Sequence, residues 1–526
     1  MALSMGDASR PEGSARISGH DGPTSKPRFA IIGAGSRGNA YAAAIVRSGL
    51  GVVAAIVEPI EFKRQQLGVK YIWHATGRTS SQEYSDYKAF VTSEHKRRKA
   101  SNGSSPDRDD AIDGVFVCVP DSLHHAIVTA LAPLGVHIMC EKPLATTLAD
   151  CLSIQRTLSQ HASRIFAIGH VLRYSPHNML LRHLLLEEKA IGEVLSMEHT
   201  EPVGYWHFAH SYVRGQWRKE SKSAPSLLTK SCHDVDFILW LLTSPPACDG
   251  DNQTPHLPST VSSVGSLKQF RRSMKPKAAG NATNCLSCPI KPSCIYSAPR
   301  IYHDRHLAQS ATNWPVDIVN PETASILQHA GPAKAKQALL ASLAEDYDTA
   351  TTPVPDIESR PWFGRCVWES DNDVCDDQVV TFAWNDVAET GRGAKTATFH
   401  MIAQTLAQCE RRGRIYGTTG EICYDSKVIV VHDFVTGETR EYNPEVPRNS
   451  HHGGGDDGLT ECFVKAVAAV RDGEVAVSAA QEEFLGCTLD DMIRSHAAVF
   501  AAEDARTGKK VIEWASWWAQ NIIKTP

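Results

Sequence analysis

The stretch Phe29-Ala-Ile-Ile-Gly-Ala-Gly-Ser-Arg-Gly38 joins a short apolar run to a glycine-rich turn. An alanine-rich segment typical of a helix follows, and a second apolar run, Val52 to Val57, ends at Glu58. The order strand, turn, helix, strand and acid is that of a nucleotide-binding βαβ unit. The sequence therefore predicts an α/β fold that begins with a parallel Rossmann sheet.

The three glycines of this turn have distinct expected roles. Gly33 would allow the tight turn, Gly35 would let the backbone approach a pyrophosphate, and Gly38 would let the helix pack closely on the strand. The free N–H groups at the start of the helix would face the phosphates. The cofactor contacts predicted in this unit are Gly33, Gly35, Ser36, Arg37, Gly38 and Glu58.

The acid at the end of the second strand indicates which dinucleotide binds. Glu58 would accept hydrogen bonds from the adenosine ribose, and its charge would repel a 2′-phosphate. NAD is therefore predicted in preference to NADP. Arg37 would soften this preference if it attracted a phosphate.

Length and composition exclude several classes of protein. The 526 residues exceed what one core usually serves, so two domains are expected. The net charge of −5 argues against a nucleic-acid partner, and the absence of any run of eighteen apolar residues argues against a membrane span. Residues 1–27 read as a disordered tail without the apolar core of a secretory signal, so a cytoplasmic location is predicted.

Polar residues follow two later strands of the predicted parallel sheet. Gly114 to Val119 runs into Pro120-Asp121-Ser-Leu-His124, and Val136 to Cys140 runs into Glu141-Lys142-Pro143. Ligands bind at the carboxyl ends of such strands, where Glu58 is also expected. Between these strands and Val57, the polar run Lys88 to Asp110 is predicted to be an inserted surface loop.

Several of these motifs, taken together, resemble the glucose–fructose oxidoreductase / inositol dehydrogenase (Gfo/Idh/MocA) family. The resemblance runs from about Arg28 to Glu513 and rests on an ordered set of motifs: Gly33-Ala-Gly-Ser-Arg-Gly38, Pro120-Asp-Ser-Leu-His124, Glu141-Lys-Pro143, Gly169-His-Val-Leu-Arg-Tyr-Ser-Pro176, Lys230-Ser-Cys-His-Asp-Val-Asp236 and Ser495-His-Ala-Ala-Val-Phe-Ala-Ala-Glu503. It implies a second α/β domain whose large, open, mostly antiparallel sheet faces the nicotinamide.

The resemblance also implies the domain limits and the activity. Residues 28–168 would bind NAD, residues 169–513 would form the substrate and oligomerisation domain with a long insert at about 243–361, and residues 514–526 would be a tail. The expected reaction moves a hydride to or from a secondary hydroxyl of a sugar, glycoside or cyclitol in a homodimer or homotetramer. The further cofactor contacts implied are Pro120, Asp121, His124, Glu141 and Lys142.

Hydride transfer needs a base for the hydroxyl proton and a group that stabilises the developing alkoxide. Lys142 and His233 suit these two roles, and the resemblance implies the same pair. His233 lies on a helix predicted over Pro225 to Leu242. Many members have an aspartate four residues before this histidine, where this chain has Thr229, so Lys230 is a candidate replacement that would bind a hydroxyl or carboxylate.

Other residues are candidates for substrate contacts: Arg173, Tyr174, Lys230 and His452. A solvated Lys230 and a merely mobile glycine-rich loop at His451 and His452 are the plain alternatives. Two other functions stay open. One is a glycoside-cleaving enzyme that oxidises a ring carbon transiently, and the other is a non-catalytic sugar sensor that binds NAD.

A group of cysteines is the second chemical feature of the sequence. Cys285, Cys288 and Cys294 have the spacing of a knuckle that holds a metal such as zinc by thiolates. Cys366 is the first candidate for a fourth ligand, because related sequences often carry a cysteine in this Arg-Cys-Val context. Cys375, His303 or a set of free thiols are the alternatives.

Overall fold

The computed structural model describes residues 26–73, 77, 79, 81–100, 111–243, 254–447 and 452–523. Two β-sheets organise these residues, one parallel and one mostly antiparallel. The predicted α/β class and the pairing of a Rossmann sheet with a large second sheet are confirmed. The predicted N-terminal tail, apart from Lys26 and Pro27, and His451 lie outside the described residues.

The first sheet is parallel, with strand order β3-β2-β1-β4-β5-β6. Its inner strands are continuous apolar runs, as expected for a sheet covered by helices on both faces. The strands are β1 (Arg28–Ile32), β2 (Val52–Val57), β3 (Glu83–Tyr84), β4 (Gly114–Val117), β5 (His137–Cys140) and β6 (Phe166–Ile168). The helices are α1 (Ser36–Ser48), α2 (Glu61–Tyr71), α3 (Tyr87–Ala100), α4 (His124–Leu131) and α5 (Leu148–Gln160).

The prediction of a surface loop from Lys88 was wrong over the described part of that run, which is helix α3. Phe90 on this helix is fully buried. Glu94 is also buried because the guanidinium groups of Arg97 and Arg98, one turn later, neutralise it. The helix is therefore held by one aromatic side chain and an ion-pair cluster, which an apolar periodicity does not reveal.

The second sheet has nine strands in the order β14-β13-β12-β11-β7-β10-β9-β8-β15. All its neighbouring strands are antiparallel except β7 and β10, which pair in parallel. The strands are β7 (Val194–Pro202), β8 (Thr260–Ser266), β9 (Asp377–Trp384), β10 (Lys395–Ile402), β11 (Arg412–Gly417), β12 (Gly420–Tyr424), β13 (Ile429–Asp433), β14 (Thr439–Tyr442) and β15 (Ile512–Glu513).

Helices of three kinds accompany this sheet: helices on its face, short helices of the insert, and helices that return to the first domain. They are α6 (Pro176–Leu186), α7 (Tyr205–Phe208), α8 (Ser226–Leu242), α9 (Val316–Val319), α10 (Thr323–Ala344), α11 (Val354–Glu358), α12 (Gly455–Arg471), α13 (Val477–Ala480), α14 (Leu489–Gly508) and α15 (Trp514–Trp518). Helix α8 agrees closely with the helix predicted over Pro225 to Leu242, and every residue in it is buried.

The predicted insert builds its own small core from Ala298, Ile301, Tyr302, Leu339 and Leu343 among others. It differs from the prediction in one respect. Strand β8 lies within the range assigned to the insert but belongs to the main sheet, where it pairs with β9. Its serine-rich sequence conceals this strand.

The chain returns to the first domain near its end. Leu459 and Phe463 of α12 pack with Phe29 and Phe116 of the parallel sheet in one core cluster. The Rossmann core is thus completed by a segment far away in sequence. Within the described residues, no helix combines the length and the apolar character needed to cross a lipid bilayer.

Candidate active site

The glycine turn between β1 and α1 is shaped for close backbone approach. Gly33 has a φ of +100°, and a Cβ there would lie 2.3 Å from the carbonyl oxygen of Cys118. A Cβ at Gly38 would lie 1.9 Å from the Gly33 carbonyl oxygen, whereas one at Gly35 would meet nothing within 4 Å. Helix α1 begins without a side-chain cap, so its first N–H groups are free to face an anion.

Glu58 lies directly after β2, where the sequence analysis expects a ribose ligand. One carboxylate oxygen accepts the Ala34 N–H at 2.8 Å, and the other accepts the Ile60 N–H at 3.0 Å. Each oxygen keeps a second lone pair. The two backbone bonds orient the carboxylate beside the glycine turn.

Arg37 has a different environment from the one expected of a phosphate ligand. Its Nε donates to Glu141 at 2.7 Å, and its two terminal nitrogens donate to Asp456 at 2.8 and 2.9 Å. One of these nitrogens also donates to the hydroxyl of Tyr41 at 2.6 Å. The guanidinium therefore ties the glycine turn to β5 and α12, and its planar fork is engaged by protein groups.

The electrostatics of this cluster follow from burial and from the guanidinium. Burial raises the pKa of Glu141, but Arg37 and a hydrogen bond from Tyr41 outweigh it, so the pKa lies below its usual value. The pKa of Asp456 is held well below its usual value by Arg37 and His452 against the same effect of burial. Both carboxylates are thus ionised at neutral pH.

The loop after β4 contributes Asp121 and His124. Asp121 accepts the Trp217 indole N–H at 2.8 Å, and burial raises its pKa. His124 departs from the expected cofactor contact because its Nδ1 lies 2.7 Å from the Pro143 carbonyl oxygen and its Nε2 lies 3.1 Å from that of Val119. The buried ring links two strand-end loops and presents no free nitrogen to a ligand.

Lys142 extends from the end of β5 toward helix α8. Its ammonium donates to the main-chain carbonyl oxygen of Thr229 at 2.6 Å. Thr229 is the position at which the sequence lacks the expected aspartate, and here its main-chain carbonyl oxygen orients the lysine. His233 lies one helical turn further along α8, and Lys142 is close enough to lower the pKa of its imidazole.

His233 is buried against a charged pair that the sequence analysis did not identify. Arg411, which directly precedes β11, places Nη2 2.8 Å from His233 Nε2. Its Nε lies 2.5 Å from Asp234 and 3.2 Å from Glu201. An arginine far away in sequence, with no motif around it, gave no signal that could have revealed this contact.

The protonation of His233 follows from these contacts. Arginine only donates, so His233 Nε2 accepts, and the ring proton lies on Nδ1. Among the described residues Nδ1 is buried without a hydrogen-bond partner. Burial lowers the pKa of the ring well below its usual value, and Arg411 and Lys142 add to this against the opposing effect of Asp234. The neutral imidazole therefore keeps at Nδ1 a proton that no described residue accepts.

Lys230 is not a solvated helix residue. Its buried ammonium lies 2.8 Å from Glu201 and 3.1 Å from the sulfur of Cys409. Burial lowers its pKa, but Cys409 and Glu201 outweigh this and raise it above the usual value. The Cys409 sulfur also lies 3.5 Å from Nδ1 of His207. Lys230 is thus part of a polar cluster with Glu201, Cys409 and His207, and it lies one helical turn before His233.

His452 faces His233 from the loop that leads into α12. The two ring centroids lie 6.0 Å apart. His452 Nδ1 lies 3.1 Å from Asp456, the carboxylate that also binds Arg37. Burial lowers the pKa of His452 below its usual value, although Asp456 opposes the shift. Nε2 of His452 has no hydrogen-bond partner among the described residues, so it is available to a bound group.

Two predicted substrate contacts are bonded within the protein. Arg173 makes a bidentate pair with Asp236 at 2.8 Å for both bonds and donates to the Gly486 carbonyl oxygen. The Tyr174 hydroxyl donates to the Leu485 carbonyl oxygen at 2.9 Å. Both side chains are buried and bound by other protein groups, and their contact with a substrate stays a prediction.

The structure brings together the four cysteines proposed as metal ligands. Cys285, Cys288, Cys294 and Cys366 line a single pocket in the insert. The alternatives Cys375 and His303 are not among its lining residues. This pocket is separate from the site around Lys142 and His233.

Comparisons with known proteins agree with the first domain. A family model for an oxidoreductase family with an NAD-binding Rossmann fold matches residues 27–170. Inositol 2-dehydrogenase of Acidothermus cellulolyticus is 31% identical over 156 residues, which cover 29% of this chain and 42% of that relative. The 2,7-anhydro-N-acetylneuraminate hydratase of Mediterraneibacter gnavus is 30% identical over 144 residues, which cover 26% of this chain and 35% of that relative. The chain thus spans less than half the length of these curated relatives.

Solved structures match nearly the whole chain in fold. An inositol dehydrogenase homologue from Azotobacter vinelandii complexed with NAD⁺ superposes with a TM-score of 0.58, at 13% identity, over 93% of this chain and 97% of that one. A levoglucosan dehydrogenase in complex with NADH and levoglucosan superposes with a TM-score of 0.56, at 15% identity, over 93% of this chain and 99% of that one. At these identities the likeness shows the fold alone.

Proposed function

Because the chain belongs to the Gfo/Idh/MocA oxidoreductase family, we propose that it is an NAD-dependent enzyme that transfers a hydride to or from a secondary hydroxyl of a sugar, glycoside or cyclitol. The match of residues 27–170 to an NAD-binding Rossmann fold supports the cofactor. The relatives named inositol 2-dehydrogenase support the substrate class. We assign residues 28–168 to cofactor binding and residues 169–513 to substrate binding.

One observation carries this proposal. Lys142, at the end of a Rossmann strand, donates to the backbone of helix α8 one turn before His233. A cation and a neutral imidazole thus converge at the carboxyl edge of the parallel sheet, where ligands of such folds bind. These two groups can hold an alcohol oxygen and stabilise the negative charge that develops on it during hydride transfer.

Each residue has a definite task in the proposed reaction. Bound NAD supplies the hydride acceptor. His233 donates from Nδ1 to the substrate oxygen and holds it, because Nε2 is engaged by Arg411. The ammonium of Lys142 stabilises negative charge that develops on the same oxygen. Arg411 is a positioning residue, since it acts through His233.

Oxidation also needs an acceptor for the hydroxyl proton. His233 cannot accept at Nδ1 while Arg411 occupies Nε2, because a neutral imidazole has one lone pair. His452 has the opposite arrangement: Nδ1 faces the Asp456 carboxylate, which leaves the lone pair on Nε2. We therefore assign proton acceptance to His452, a residue that the sequence analysis places in the substrate site.

The choice of NAD over NADP rests on two residues. Glu58 keeps lone pairs for a ribose hydroxyl and a negative charge that opposes a 2′-phosphate. Arg37, the residue that would have attracted such a phosphate, is engaged by Glu141, Asp456 and Tyr41. Both environments favour NAD.

A test combines a substrate screen with one variant. Purified protein is incubated with NAD and a panel of sugars and cyclitols, and NADH absorbance is followed. We expect turnover with at least one cyclitol or sugar, and loss of nearly all of it in Lys142→Met with the Kd for NAD little changed. Lys427→Met, an exposed lysine in the turn before β13, is the matched control. Full activity of Lys142→Met would refute the assignment, and tight NAD binding without any turnover would favour a sensor.

A second candidate function is a reaction with no net oxidation. One relative is named a hydratase, and a hydration changes no net oxidation state. Here a ring carbon would be oxidised and later reduced at the same site, with elimination between the two steps. Incubation with glycosides decides between the two: released sugar without accumulated NADH favours this candidate.

A further inference from the structure

Four cysteines from two separate segments line one pocket of the insert. Cys285, Cys288 and Cys294 come from the turns before α9, and Cys366 comes from the loop before β9. All four are free thiols, and Cys285, Cys288 and Cys366 are buried. The buried Arg214, which follows helix α7, also lines this pocket.

Backbone hydrogen bonds hold the segments that carry these four cysteines around the same pocket. The Cys288 N–H donates to the Cys285 carbonyl oxygen at 3.4 Å, which curls the chain into a knuckle. The Cys285 N–H donates to Gly364 at 2.8 Å, and the Cys366 N–H donates to Thr283 at 2.7 Å. This short antiparallel bridge fixes the distant fourth cysteine beside the first.

Arg214 supplies an independent observation. The residue is 1% exposed, and Nη2 lies 3.3 Å from the sulfur of Cys285 and 2.7 Å from the Tyr296 carbonyl oxygen. Nε donates to the Arg365 carbonyl oxygen at 2.6 Å, whereas Nη1 has no hydrogen-bond partner among the described residues. No carboxylate of the described chain pairs with this buried cation. Such a charge costs several kcal/mol unless a negative group compensates it.

We propose that Cys285, Cys288, Cys294 and Cys366 hold a metal centre through four thiolates. Four thiolates on a zinc ion or on an iron–sulfur cluster leave a net negative charge, which Arg214 would neutralise. A site with four protein ligands has no open position for a substrate. The centre is therefore structural, and it fastens the insert to the second domain.

The spacing of the sulfurs bears on the occupant. Two groups of three ligand atoms within 4.8 Å of one another occur in the described residues, and neither contains these cysteines. One zinc ion with Zn–S bonds of ~2.3 Å would bring its sulfurs to ~3.8 Å from one another. The four sulfurs would thus move closer together to bind a single zinc ion, whereas a cluster of several irons would be bound with the sulfurs further apart.

The buried group His170, Cys232 and His496 is not a competing site. Nε2 of His496 accepts the Leu144 N–H at 2.8 Å, and its Nδ1 lies 2.7 Å from the Met492 carbonyl oxygen. Both ring nitrogens are therefore occupied. The pocket with four cysteines keeps all its thiols available apart from the contact between Arg214 and Cys285.

Elemental analysis of the full-length protein tests the proposal. The protein, purified in reductant without chelator, is assayed for zinc, iron and acid-labile sulfide. We expect about one zinc per chain, or about four iron and four sulfide with a broad visible absorption. Cys288→Ser and Cys366→Ser should each lose at least about four fifths of that metal. Cys462→Ser, a half-buried cysteine on α12, should keep all of it.

A second measurement covers variants that do not fold. Stripping the metal from the wild-type protein with a chelator should lower its thermal midpoint, and adding back the same metal should restore it. A folded wild-type protein with less than about 0.1 equivalent of any metal, also after reconstitution, would overturn the proposal. Full metal content in Cys366→Ser would overturn it as well. Neither result depends on the oxidoreductase activity.

Discussion

Arg411 Nη2 lies 2.8 Å from Nε2 of His233, so a residue at the start of β11 decides which nitrogen of the imidazole carries the proton. The guanidinium is itself held by Asp234 and Glu201, both fully buried. This relationship turns His233 into a hydrogen-bond donor toward the proposed substrate. The group that donates a hydrogen bond to the substrate, His233, is therefore a different residue from the group that accepts the hydroxyl proton, which we assign to His452.

Replacing Arg411 should therefore change the chemistry at His233. In Arg411→Met we expect kcat/KM to fall by about 10²-fold, because the imidazole loses its fixed tautomer and orientation. The pKa of His233 should rise, since Arg411 lowers it and Asp234, which raises it, would remain. The pH dependence of kcat/KM and the histidine NMR signals measure the two effects.

Two further variants separate catalysis from folding. Arg411→Lys keeps a positive charge between Asp234 and Glu201. Compared with Arg411→Met, it should therefore regain more of the lost stability than of the lost activity. Arg414→Met removes a half-exposed arginine two residues into β11 and should leave both unchanged. Equal recovery of stability and activity in Arg411→Lys would contradict the positioning role.

The assignment of His452 as proton acceptor predicts a pH profile. Burial lowers the pKa of His452 below 6.5, so the ring stays unprotonated through neutral pH. The acid limb of kcat/KM for alcohol oxidation should have its midpoint below 6.5, and activity should be lost only as the pH falls through that value. His452→Gln should lower kcat by about 10²- to 10⁴-fold and remove this limb. His432→Gln, on the half-exposed strand β13, is the matched control.

The parts of the site that could be predicted are those whose residues are close together in sequence. The glycine turn, Glu58 and the end of β5 each follow an apolar strand directly, and topology brings such strand ends together. His233 lies on a helix whose apolar spacing is clear. Cys366 lines the same pocket as Cys285, Cys288 and Cys294, and the resemblance to related sequences had marked it, whereas its spacing from the other three cysteines had not.

The parts that could not be predicted depend on contacts between distant segments. Arg411 and Asp456 reach the site from beyond β10 and from α12, and no local pattern marks an arginine or an aspartate as buried. The bidentate pair of Arg173 with Asp236 was missed for the same reason, because no local pattern reveals that these two distant side chains meet. Ion pairs depend on tertiary packing, which a single sequence does not reveal.

Glu58→Gln tests the cofactor preference without removing the acceptor for the Ala34 N–H. The charge that opposes a 2′-phosphate is lost, so we expect the ratio of the Kd for NADP to the Kd for NAD to fall by about tenfold. Glu61→Gln removes an exposed charge at the start of α2 and should leave the ratio unchanged. An unaltered ratio in Glu58→Gln would show that this residue does not select the cofactor.

Arg37 is predicted to stabilise the fold by joining Glu141 and Asp456, which are nearly inaccessible to solvent. Removing it leaves two buried carboxylates without their shared cation, so Arg37→Met should lower the free energy of unfolding at pH 7 by about 3 kcal/mol without NAD. Both carboxylates have folded-state pKa values below the ordinary 4.5 and 3.8. The stabilisation is therefore present above pH 4.5 and is lost as the pH falls through the lowered values.

The difference between wild type and Arg37→Met in urea unfolding should accordingly be wide at pH 7 and narrow below pH 3.8, the ordinary value for an aspartate. Arg47→Met is the control on the same helix, because Arg47 pairs with Asp457 at the surface. An exposed pair of this kind contributes at most about 1 kcal/mol. If both variants lost equal stability, or if the Arg37→Met difference did not narrow on acidification, the buried cluster would not be the source of the effect.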